Sequence, residues 1–105
     1  MKESMIGYFE GEIVEEQVEF TLVELCRASG ASEEQLMMWI SEGAFEPSGP
    51  GPEEWRFSGA ALNRALSAQR LARDFDINAS GIALALDLLD EIEALRAQLK
   101  RSNRR

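Results

Sequence analysis

Residues 20–36 read FTLVELCRASGASEEQL, and this stretch decides the fold. Thr21 opens T-L-V-E, in which the threonine hydroxyl takes an orphan amide of the first turn and Glu24 reaches back to the chain before it. A helix is expected through Ser29. Leu22, Leu25 and Cys26 fall at i, i+3 and i+4 on one face, and Gly30 stands where a left-handed residue stops a helix. Ser32 opens a second capping box, S-E-E-Q, and Leu36, Trp39 and Ile40 supply the next apolar face before Gly43. Two short capped helices joined by a tight Gly-Ala turn have the punctuation of a helix-turn-helix.

Outward from this unit, residues 13–20 turn β-favouring and predict a short strand leading into the first helix. On the other side, all three prolines and two glycines fall within residues 47–52, between the short extended pieces 44–46 and 53–57. Proline bars helix there, so residues 44–57 are expected to form a hairpin wing. Ser58 is the expected cap of a third helix, about 59–75, with Leu62, Leu66, Leu71 and Phe75 among its apolar positions. Asn78 or Ser80 caps the last and longest helix, about 79–101.

That last helix has two parts. Residues 82–89 are apolar on more than one side and belong in a core, whereas Leu88, Ile92, Leu95 and Leu99 follow the 4-3-4 rhythm of a coiled-coil seam. The seam predicts a homodimer. Arg96, Lys100, Arg101, Arg104 and Arg105 gather at the C-terminal end, where cations complement the helix dipole. Residues 1–15 form an extension expected to be flexible, 16–101 a single domain with the helix-turn-helix at about 21–43, and 102–105 a basic tail.

The 105 residues allow one domain, with 11 basic and 19 acidic side chains, a net charge of −8 and no histidine. Lacking histidine, the chain lacks the commonest general base and metal ligand, and its one cysteine can neither close a disulfide nor supply a zinc tetrad. No cofactor or metal is expected, and no enzyme activity. Paired carboxylates such as Asp74 and Asp76 come without an activated nucleophile or phosphate-cradling loop. The longest uncharged run, residues 77–86, is about half of a membrane span, and the N-terminus has no basic-then-apolar signal. A soluble protein of the bacterial cytoplasm is expected, with Cys26 a small buried hydrophobe in a reducing compartment. Trp39, Trp55, Phe45 and Phe57 are expected to pack in the core rather than to contact a partner.

The order strand, helix-turn-helix, wing, helix, long helix resembles the MerR-like winged-helix architecture, a mainly α fold with a small β wing. Two blocks, residues 20–36 and residues 81–99 reading GIALALDLLDEIEALRAQL, resemble the CbpM family of chaperone modulators more closely. That family has a similar F-T opening, a cysteine in its first helix, a G-hydrophobic-SEEEL turn and a GIAxAL-hydrophobic-DDI segment in its last helix. The Pro/Gly richness of 47–52 and the extension before Glu16 depart from the family pattern. The resemblance implies a non-enzymatic protein that binds the J-domain of a CbpA-type, DnaJ-like co-chaperone and restrains its stimulation of the Hsp70 chaperone DnaK.

Charge bears on the alternative, a MerR-like DNA-binding transcriptional regulator. Residues 1–60 carry 13 acidic and 3 basic side chains, a net −10, whereas residues 61–105 carry a net +2. Within residues 20–43, Glu24, Glu33, Glu34 and Glu42 oppose the single cation Arg27, and Glu33 and Glu34 start the helix that would meet phosphates. Met37, Met38 and Trp39 replace the arginine and tyrosines usual in such regulators, leaving Arg56 in the wing. DNA is therefore not the expected ligand. An acidic, partly apolar surface suits a basic protein helix instead. Two clusters are candidates for it: Glu33 and Glu34 with Met37, or Asp87, Asp90 and Glu91, which i, i+3, i+4 spacing places on one face of the last helix.

Overall fold

The computed structural model describes residues 18–103. Its elements are β1 (Glu19–Phe20), α1 (Leu22–Ser29), α2 (Glu33–Ser41), β2 (Phe57–Ser58), α3 (Gly59–Phe75) and α4 (Ala79–Asn103). The architecture is the mainly helical winged helix-turn-helix that the sequence predicts. The expected extension, the expected strand before residue 18, and the last two residues of the basic tail lie outside the described residues.

Both capping boxes form. Thr21 Oγ1 accepts from the Glu24 amide at 3.1 Å while Glu24 Oε1 accepts from the Thr21 amide at 2.9 Å, and Ser32 and Gln35 repeat the exchange at the start of α2. Gly30 closes α1 at φ 83°, a left-handed conformation that costs a residue with a Cβ about 1 kcal/mol or more. The Gln69 amide of α3 donates to the Gly30 carbonyl at 3.0 Å, pinning this turn to the third helix.

The wing differs in detail from a simple hairpin. β2 pairs antiparallel with β1, with Phe20 opposite Phe57, so the strand before the helix-turn-helix is held by the strand after the wing. Residues 48–56 close on themselves through a single bridge in which the Ser48 and Arg56 amides donate to each other's carbonyls at 3.1 and 2.9 Å. Gly49 makes this loop possible, because a Cβ there would sit 2.6 Å from the Glu54 carbonyl oxygen. Ser58 occupies the cap position of α3 but makes no side-chain cap bond.

The core gathers Leu25, Leu36, Ile82 and Leu86, all essentially inaccessible, with Trp39 stacked on Phe45 and Phe57 set edge-on to Trp55. Trp39, Phe45 and Phe57 are buried as expected, and Trp55 packs half-buried against them. Cys26 is likewise half-buried rather than enclosed.

α3 buries alanines rather than its larger apolar residues. The face it turns inward is Ala61, Ala65 and Ala68, whereas Leu66 and Phe75 are exposed, Phe75 by 67%. Leu62 and Leu71 reach the core only from its margin. Alanines at i, i+4 and i+7 let α3 approach α1 and α4 closely, and that close approach leaves no room for larger side chains on the same face. α3 then ends at Asp76 in the left-handed region, φ 56°. Of the two candidate caps for α4, Asn78 performs the role, its Oδ1 accepting from the Gly81 amide at 2.9 Å and from Ser80 Oγ at 3.2 Å.

Candidate partner-binding surface

The two acidic clusters occupy opposite ends of α2. Glu33 and Glu34 open that helix, exposed, with no ion pair among the described residues, and placed where carboxylates complement the helix dipole. Asp87 and Asp90 project from α4 toward the segment that follows α2, where they line an open cavity of about 350 Å³ with Ala44, Phe45, Glu46 and Arg64. A nine-residue helix rises about 13 Å, so the two clusters form two surfaces rather than one.

Arg64 is the residue that sequence reasoning missed. Its Nε donates to the Ala44 carbonyl at 3.0 Å, its guanidinium lies 6.0 Å from the centre of the Phe45 ring, and its two terminal nitrogens face Asp90 and Asp87, the latter at 3.6 Å. Its side chain is 23% exposed. Arg64 thereby offsets one of the two charges of the Asp87/Asp90 pair, and only Glu91 of that trio stays without an ion pair among the described residues. No local pattern marks Arg64, which pairs with a carboxylate 26 positions away.

The methionine assignment also changes. Met37 packs half-buried against the core, and Met38 is the exposed one at 58%. The helical angle carries this signal: Leu36, Trp39 and Ile40 define the buried face, Met37 lies on its flank and Met38 opposite it. Met38 stands one turn beyond Glu34, so the acidic start of α2 has an exposed, adaptable apolar neighbour. Glu33 also influences α1. Burial pushes the Cys26 thiol above its ordinary pKa, and the Glu33 carboxylate adds to the shift against a smaller opposing backbone hydrogen bond.

On α4, Leu88, Ile92, Leu95 and Leu99 are 43–63% exposed, so the predicted seam is not enclosed by the described residues of this chain. Among the described residues there is no cluster of three or more side chains able to hold a metal ion, and no helix long and apolar enough to cross a membrane.

Comparison with known proteins also finds a helix-turn-helix family. Residues 20–104 match the MerR HTH family regulatory protein model. A chaperone modulatory protein CbpM from Coxiella burnetii is 38% identical over 90 residues, spanning 86% of this chain and 85% of the relative. The chain belongs to the CbpM family. A CbpM from Pseudomonas putida is 33% identical over 81 residues, spanning 77% of this chain and 80% of the relative. In this CbpM family member, then, the start of the would-be recognition helix carries the carboxylates Glu33 and Glu34, and the wing holds Arg56, whose Nη1 donates to its neighbour's carbonyl, that of Trp55, at 2.9 Å.

Proposed function

We propose that this CbpM family member is a non-enzymatic chaperone modulator of the bacterial cytoplasm that binds the J-domain of a CbpA-type, DnaJ-like co-chaperone and lowers its stimulation of DnaK. It acts by occupying the basic helix that the J-domain would present to DnaK, with charge steering the encounter and an apolar contact anchoring it. The observation that carries this reading is the Glu33/Glu34 pair beside Met38, exposed and without an ion pair among the described residues, on the face a DNA-binding relative would need to be basic. Asp87, Asp90 and Glu91 form the second candidate surface, less available because Arg64 already holds two of its carboxylates. The exposed seam on α4 supports a homodimer as the working form.

Calorimetric titration with a purified CbpA-type J-domain at low and high salt tests the reading. Binding that weakens as salt rises, and that Glu33→Lys/Glu34→Lys abolishes without loss of helicity, is expected. Absence of binding at low salt overturns the proposal. Tight, sequence-dependent binding to duplex DNA would instead establish the MerR-like regulator.

A further inference from the structure

The inward row of α4 runs Ile82, Leu86, Leu89, Glu93, Arg96 and Lys100, at 4-3-4-3-4 spacing. Ile82 and Leu86 are buried, Leu89 is 41% exposed, and the three charged positions are exposed. The row turns from apolar to charged where packing by the described residues stops. Arg96, Lys100 and Arg101 have no ion pair among the described residues, and Arg96 and Lys100 line an open hollow of about 430 Å³ with Glu93, Ala97, Leu99 and Asn103. This row is displaced by one residue, about 100° around the helix, from the seam of Leu88, Ile92, Leu95 and Leu99. A partner on one leaves the other free.

Two observations say what reaches the charged end. The first is where the chain enters the fold. Residues 76–78 turn α3 back along α4, and Arg64 of α3 meets Asp87 and Asp90 of α4, so Gly59, at the start of α3, lies about level with residue 93. Ser58 pairs with Glu19 of β1, which brings Val18 in beside the base of the protruding end. The 17 residues before Val18 reach at most about 56 Å at 3.3 Å each, and the stretch 93–103 is only about 15 Å long. The second is charge. Residues 1–17 hold five acidic and one basic side chain, a net −4, among Tyr8, Phe9, Ile13 and Val14, whereas residues 93–105 hold five basic and one acidic, a net +4. Attachment to the same chain raises the effective concentration of this segment to the order of millimolar. A separate polyanion has no such advantage and meets a chain of net charge −8.

We propose that residues 1–17 dock on the charged end of the inward row of α4 in the same chain, with Glu10, Glu12, Glu15 and Glu16 facing Arg96, Lys100 and Arg101. The contact supplies the long helix end with a partner that the described residues do not provide. It also masks this basic stretch from other anions.

The test uses the full chain with nitroxide labels on Gly11→Cys and Ser102→Cys in a Cys26→Ser background, diluted into unlabelled protein so that only the pair within one chain is read. At low salt, double electron–electron resonance should give one narrow distance within roughly 25 Å, the length of the protruding stretch plus a helix diameter. Salt at 1 M, where screening acts beyond about 3 Å, should broaden it. Arg96→Glu/Lys100→Glu/Arg101→Glu should broaden it likewise with helicity unchanged. Adding Glu12→Lys/Glu15→Lys/Glu16→Lys to that variant should restore the narrow distance, which damage to the helix end would not allow. A broad distribution at low salt, a narrow one that survives the first charge reversal, or a narrow one at much longer distance, which places the segment on a second copy, overturns the proposal. No co-chaperone takes part in these measurements, so their failure would leave the docking reading standing.

Discussion

Arg64 and Asp90 join α3 to α4 through a charge-assisted hydrogen bond, and the same guanidinium holds the Ala44 carbonyl at 3.0 Å. One side chain thus ties the segment following the helix-turn-helix to both later helices. Its stem and planar head also cover the Phe45 ring, a role that a lysine would fill poorly. Arg64→Ala should cost about 1–2 kcal/mol, since it frees a carbonyl and removes packing. Asp90→Asn, at the exposed end of the same contact, should cost less than about 1 kcal/mol. Urea unfolding followed by circular dichroism separates the two.

The helix-turn-helix depends on its caps. Ser32→Ala should lower stability by about 1 kcal/mol, because the Gln35 backbone amide loses its acceptor, the Ser32 hydroxyl. Gly30→Ala should cost a similar amount for a different reason, the left-handed backbone at φ 83°. Shifts in the thermal midpoint of both variants check this.

α3 should respond to size in the reverse of the usual order. Ala65→Leu is expected to cost about 1–3 kcal/mol by forcing packed helices apart, while Leu66→Ala, one position on and exposed, should stay within about 0.5 kcal/mol. Chemical denaturation of the two variants in parallel decides it.

Cys26 should alkylate more slowly than a free thiol near pH 8, since burial and the Glu33 carboxylate both favour the protonated form. Glu33→Gln should speed the reaction by removing the second cause. As an acid whose folded pKa is raised, Cys26 holds its proton to higher pH in the native state than in the unfolded chain. Its contribution is therefore intact below the ordinary thiol range and is lost as pH climbs through it. Iodoacetamide kinetics across pH 7–10 measure the first effect, and unfolding at matched pH values the second.

Much of the fold was legible because local chemistry and tertiary packing agree. Thr21, Gly30 and Ser32 each act within a few residues of themselves, so their helix starts and stops appear in the sequence and in the structure alike. The leucines of α3 do not mark its buried face, because alanines occupy it and close helix packing leaves no room for larger side chains there. Of the candidate surface, the exposure of Glu33 and Glu34 could be anticipated, and the angle of Met38 was there to be read.

By itself, then, the sequence determined the family, the helix boundaries and the acidic character of the helix-turn-helix, since these depend on residue types and on spacing along one chain. Tertiary structure alone decided which acids remain available. Asp87, Asp90 and Glu91 look equivalent along α4, yet packing α3 against it delivers Arg64 to the first two, and a contact across 26 residues leaves no trace in local pattern.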